Sequence, residues 1–211
     1  MAAKEERALD ARTLALVRVA AGVAASNAEE LKHRMIAARG AGVPALWVEE
    51  LLLQSLLNVG YPRTLAAFGV WREVAGPLAD PGEPVAHPEW EVWLKRGTEL
   101  CAEVYGRTFH KLLLHLKGLH PALEALVLVD AYGKVLGRPG LDAGRREICT
   151  LAAIAMQDAP RQLHAHLRGA LNLGWAAKDV DTVLALLEPD LGAERALAVW
   201  NLWADVRGRS L

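Results

Sequence analysis

The run Leu163-His-Ala-His-Leu-Arg-Gly-Ala-Leu-Asn-Leu173 sets Leu163, Leu167, Ala170 and Leu171 on one face at three- and four-residue steps, and Gly174 follows it. That is the pattern of an amphipathic helix closed by a glycine stop. A second stripe of Val180, Val183, Leu184 and Leu187 stops before Pro189. The same reading extends along the chain, where Ala, Leu, Arg and Glu dominate and β-branched runs are short. The fold class is therefore all-α.

Working outward, the helical run has a counterpart near the N-terminus. Sliding the chain by 132 residues lays Leu9-Asp10-Ala11 on Leu141-Asp142-Ala143, Ala20-Ala21 on Ala152-Ala153, and Leu31 on Leu163. It also lays Gly42 on Gly174, Gly60 on Gly192, Arg63 on Arg195, Trp71 on Trp203 and Val74 on Val206. The register holds without a gap over some 66 positions, about a quarter of them identical. Ala/Leu-rich composition does not by itself match glycines, arginines and tryptophans, so the chain is an internal duplication. The expected organisation is a degenerate N-terminal repeat over 1–75, a Pro/Gly-rich linker over 76–88, connecting helices over 89–140 and a second repeat over 141–211. Within the connecting region, one helical stretch is expected from Glu89 to His120 and another from Ala122 to Leu136. Asp142 is the expected N-cap of the helix carrying Arg145, Arg146 and Glu147. Neither repeat alone can bury all its apolar faces; packing the two about a pseudo-twofold axis would.

Composition narrows the functional classes. With 24 basic against 25 acidic residues and no block of like charge, the chain has no electrostatic footprint for nucleic acid or an anionic membrane. Leu14 to Ala25, the most apolar early stretch, is interrupted by Arg18 and too short to span a bilayer. The N-terminus lacks the basic start of a secretory signal. Cys101 and Cys149 form no CxxC and are too few for a disulfide framework, so the expected setting is a reduced, cytoplasmic one.

Three segments carry a family resemblance: Tyr132-Gly-Lys-Val-Leu-Gly-Arg-Pro-Gly-Leu-Asp142, Arg146-Glu-Ile-Cys149 and Gln162-Leu-His-Ala-His-Leu-Arg-Gly-Ala-Leu-Asn172. A loop with Arg-Pro-Gly-Leu, a helix opening with Arg-Glu and a helix with His-x-x-x-Ala together resemble the carboxymuconolactone decarboxylase / alkylhydroperoxidase D family. The resemblance covers nearly all of the second copy and, more weakly, the first. The peroxidase branch of that family orders its site as Glu-x11-Cys-x2-Cys-x3-His. On this chain the glutamate falls on Glu147 and the histidine on His166, while the two cysteine positions hold Ala159 and Gln162. Attack by one thiolate and resolution by a second are then unavailable. Cys149, two residues from Glu147 on a helix, points to the other side and reads as structural.

A carboxylate and an imidazole survive. The resemblance to the cysteine-free decarboxylase branch implies acid–base chemistry on a small carboxylated or lactone substrate, with no cofactor. In it His166 moves the proton, Glu147 orients the ring, and an arginine grips the substrate carboxylate. Arg138, Arg146 and Arg168, with Arg145 beside them, are the candidates for that grip. The alternative is a binding or assembly protein that keeps the fold without catalysis, in which Glu147 and His166 form a structural hydrogen bond. An enzyme should leave the pair in an open concavity; an assembly protein should fill it. No metal site is expected: His164 lies two residues from His166, and His110, His115 and His120 step around their helix by fives. Trp71 and Trp203 read as core anchors. Copy one has Ala15 and Arg34 where copy two has Glu147 and His166, so only one such pair exists per chain. Single-copy members of that family tend to form six-membered rings, so the resemblance implies a homotrimer for a two-copy chain, with a dimer through the linker region as the alternative.

Overall fold

The computed structural model describes residues 9–77 and 90–208, and among these every regular element is a helix. In chain order they are α1 (Ala11–Ala25), α2 (Ala28–Gly40), α3 (Ala45–Ala75), α4 (Trp90–Tyr105), α5 (Phe109–Leu119) and α6 (Leu123–Ala125). There follow α7 (Ala143–Ala155), α8 (Pro160–Asn172), α9 (Ala177–Leu191) and α10 (Ala193–Gly208). The helix α6 runs on as a π-helix over Leu126–Leu136.

The duplication is carried in three dimensions. At the same 132-residue offset α2 lies on α8, and the two arms of α3 lie on α9 and α10. Asp10 and Asp142 cap α1 and α7 alike, accepting from the Thr13 and Arg145 amides at 2.8 and 3.1 Å. The arms meet at Gly60 in copy one (φ 72°, ψ 175°) and at Gly192 in copy two (φ 73°, ψ 162°). That positive φ is open to glycine at little cost and lets each helix turn back on its own core. Trp71 donates to Glu49 at 2.7 Å, and its counterpart Trp203 donates to Asp181 at 2.6 Å. Both indoles are buried, as the composition led us to expect.

The core forms where the copies meet. α1 packs on α7, while α3 contacts α7 and, equivalently, α9 contacts α1. Leu16, Val17 and Ala20 from one copy, with Ile148, Leu151 and Ala152 from the other, are removed from solvent. Burial of each such leucine or isoleucine is worth ~1.5–3 kcal/mol.

A charged clamp crosses the same interface. On α3, Glu50 accepts from Arg138 at 3.0 Å and from Arg146 at 2.8 Å, and all three side chains are buried. Arg146 also donates to the Leu141 and Arg138 carbonyls at 2.9 and 3.1 Å. Gln54, one turn along α3, donates to the Arg146 carbonyl at 3.0 Å. A more exposed pair, Arg34 of α2 with Asp190 of α9, joins the copies through two bonds of 2.7 Å.

Two departures from the sequence reading concern the connecting region. The single helical stretch expected to His120 is divided by a 3₁₀ turn, Gly106–Thr108, where Gly106 adopts φ 51°. Asn172 holds that corner by donating to the Val104 carbonyl at 2.7 Å. The second stretch has a π ladder in place of an α ladder from Leu126 on. It crosses α4 backbone to backbone: a Cβ on Gly97 would sit 1.7 Å from the Leu128 carbonyl oxygen, and one on Gly133 would sit 2.3 Å from that of Trp93. Residues 78–88 of the expected linker lie outside the described residues.

Candidate functional site

Glu147 and His166 come together as the motif spacing implies. Glu147 projects from the second turn of α7 and His166 from the middle of α8, with Glu147 Oε1 2.8 Å from His166 Nδ1. Gly169, one turn after His166, makes room: a Cβ there would lie 2.1 Å from Glu147 Oε1. Ala159 and Gln162 stand at the start of α8, in the places of the peroxidase cysteines.

The pair is nearly covered, with side-chain exposures of 4 % for Glu147 and 12 % for His166. The cover is α4 and the π-helix, which bring up Cys101, Val104 and Tyr132, with Tyr105 at the helix end. Tyr105 and Tyr132 meet edge to face, ring centroids 6.4 Å apart. Sequence reading missed all three polar members of this shell. Cys101 and Tyr105 lie outside the family segments, and Tyr132, which opens one of them, carries no sequence signal that it covers the pair.

Electrostatics follow from burial. For His166, desolvation opposes the charged ring, but the Glu147 carboxylate and its hydrogen bond outweigh it and hold the pKa above its ordinary 6.5. Burial, reinforced by the Glu147 charge, pushes the Cys101 thiol up to about 12 and the Tyr105 hydroxyl likewise to about 12. Burial pushes Cys149 higher still. Neither cysteine is a thiolate near neutral pH, and both are fully enclosed. The native protein mixed with cumene hydroperoxide and a dithiol reductant should therefore give no turnover, and neither thiol should react with iodoacetamide before unfolding. Peroxide turnover abolished by Cys149→Ser or Cys101→Ser would overturn this.

The four arginines separate. Arg138 and Arg146 are engaged by Glu50 in the clamp between copies. Arg145 bonds Asp142 at 2.7 Å and Thr13 at 3.0 Å and stacks over Trp47. Arg168 has no hydrogen bond or ion pair with any described residue and lines a groove of about 300 Å³ with Val104, Tyr105, Lys111, His115, His164 and Asn172; neither Glu147 nor His166 lines it, and the Val104–Tyr105 cover lies between. His164 thus faces the groove and lies 3.8 Å from Asp205, away from Glu147. Among the described residues no cluster of three or more His, Cys, Asp or Glu side chains has metal-binding geometry, and no helix is long and apolar enough to cross a membrane.

A duplicated all-helical fold with one Glu–His pair in its second copy defines a class, and comparison with known proteins gives the family. The model of the carboxymuconolactone decarboxylase family matches residues 1–73, in copy one, and 124–205, which starts in the connecting region and runs through copy two. The chain belongs to that family. It is similar to peroxisomal protein 2 of Schizosaccharomyces pombe, 29 % identical over 135 residues, which is 63 % of this chain and 63 % of that protein. It is also similar to peroxisomal protein 2 of Saccharomyces cerevisiae, 28 % identical over 94 residues, 44 % of this chain and 33 % of the relative. The chain thus matches less than two thirds of either relative's length.

Proposed function

We propose that the protein is a cofactor-independent lyase-type enzyme that moves a proton on a small carboxylated or lactone substrate. The observation that carries this reading is the 2.8 Å Glu147–His166 bond, with a groove holding Arg168 and Lys111 on the far side of the Val104–Tyr105 cover. With Nδ1 held by Glu147, the ring is fixed in one orientation and Nε2 is the atom left for chemistry. In decarboxylation the bond to the carboxyl carbon breaks, carbon dioxide leaves, and the electron pair left on carbon takes the proton from Nε2. Glu147 stabilises the imidazolium before that transfer, and solvent then returns the proton. Arg168 serves as the carboxylate clamp, with Lys111 adding positive charge to the groove; Arg138 and Arg146 are held by Glu50 between the copies, do not line the groove and have no part in gripping substrate. A second reading, a binding or assembly protein without catalysis, is favoured by one observation: α4 and the π-helix leave His166 only 12 % exposed.

Variants separate the two. In the enzyme, His166→Ala and Glu147→Gln should fold and lose turnover or ligand binding by at least about 100-fold, while Ala15→Ser and Arg34→Lys in copy one should not. Linkage adds a pH signature. Since the folded pKa of His166 is raised, the pair's stabilisation is complete below about 6.5 and is lost as pH rises through the folded value. The melting-temperature gap between wild type and His166→Ala should therefore narrow with rising pH. A large drop in melting temperature with ligand binding unchanged would end the catalytic reading.

We also read the chain as a homotrimer. Leu65 and Leu197 occupy equivalent positions in the two copies and are 64 % and 63 % exposed, a matched pair of apolar sites. Head-to-tail contacts between such sites close into rings. Light scattering should return three chain masses; a monomer at micromolar concentration would refute it. The buried free cysteines suit a reducing compartment, and we place the protein in the cytoplasm; the yeast relatives are named for the peroxisome, so imaging of a tagged chain decides between the two.

A further inference from the structure

The face of copy one that corresponds to the Glu147–His166 face of copy two is open. There α1 and α2 carry Ala15, Arg34 and Ala37 where α7 and α8 carry Glu147, His166 and Gly169. In copy two that face is closed by α4 and the π-helix, whereas no described element closes it in copy one. What remains is a groove of about 490 Å³ between α1, α2 and Leu186 of α9. Its floor is Leu14, Ala15, Ala37 and Leu186, small and aliphatic, with no carboxylate lining it. Arg18 and His33 also line it, both exposed; the Arg18 carbonyl accepts from Arg34 at 3.2 Å, but neither the Arg18 nor the His33 side chain is hydrogen-bonded or ion-paired with any described residue. Arg34 lies along the wall, but its guanidinium is taken up by Asp190 and Glu30.

We propose that this groove binds an aliphatic carboxylate and holds it without chemistry. Its volume falls within the range of small-molecule sites, roughly 300–1,000 Å³. An apolar floor favours an alkyl chain, and the exposed Arg18 fork matches a carboxylate in shape and charge. Copy one has no acid–base pair at the matching positions, so the ligand leaves as it arrived. The site is separate from the one in copy two and does not depend on its activity.

The full-length protein titrated with decanoate by calorimetry tests this. One saturable site per chain is expected. Arg18→Glu should weaken it by at least about tenfold, and Ala37→Phe, which fills the groove from an exposed position, should abolish it at an unchanged melting temperature. His166→Ala should leave decanoate binding as in wild type, and decanol should bind more weakly than decanoate. The proposal is overturned if decanoate does not saturate at millimolar concentration, if binding survives both groove variants, or if His166→Ala removes it. It is equally overturned if Ala37→Phe abolishes self-association while decanoate fails to bind, since the groove would then hold a helix of another molecule.

Discussion

Glu50→Ala should destabilise the protein by about 3–5 kcal/mol, the cost of leaving a buried charge without its partner. Here two guanidinium groups, Arg138 and Arg146, share the one carboxylate, and both are buried. Removing Glu50 leaves two like charges facing each other at the interface between the copies. Hydrogen bonds to the Leu141 and Arg138 carbonyls retain Arg146 in place, so it cannot swing out to water without breaking them. Glu50→Gln keeps the shape and loses the charge, and it should fall between alanine and wild type. Urea unfolding measures all three. A loss under about 1 kcal/mol for Glu50→Ala would mean that water reaches the clamp and that its charges are screened.

Gly97→Ala should destabilise the protein, because the clash it creates outweighs the helix propensity it gains. Alanine is favoured over glycine inside a helix by about 1 kcal/mol. Against that, the new methyl would lie 1.7 Å from the Leu128 carbonyl oxygen, a backbone atom that cannot rotate away. The crossing of α4 with the π-helix must open, at a cost of about 1–3 kcal/mol or more. As it opens, the shell of Cys101, Val104 and Tyr132 loses its packing and Cys101 becomes accessible. Iodoacetamide labelling of Cys101 in the folded variant, absent in wild type, is the expected readout. Gly118→Ala is the control: nothing lies within 4 Å of its Cβ, so propensity alone acts and stability should rise slightly. Equal behaviour of the two variants would refute the close crossing.

The legibility of this fold in its sequence was uneven for physical reasons. The repeat could be read because Gly60 and Gly192 need the same positive φ, and because Trp71 and Trp203 fill the same core position in each copy. The pairing of Glu147 with His166 could be read from the family's spacing, which sets them on consecutive antiparallel helices. The shell over them could not. It comes from the connecting helices, which have no counterpart in the repeat, and a π ladder has no sequence period that separates it from an α-helix. The partner of Arg138 and Arg146 was equally hidden: Glu50 lies 88 and 96 residues away, and the matching position in copy two is Thr182.

The clamp also bears on how such a chain can change over time. Copy one lacks the Glu–His pair, so its sequence is free of any demand from that chemistry. Yet Glu50, which belongs to copy one, neutralises arginines that belong to the second half, and Arg34 is answered by Asp190 across the same boundary. A lineage that deleted the first repeat would strand those charges at once, before any replacement could arise by single substitutions. The two halves are mutually obligate, joined by a shared apolar core and by charges that neither half can neutralise by itself.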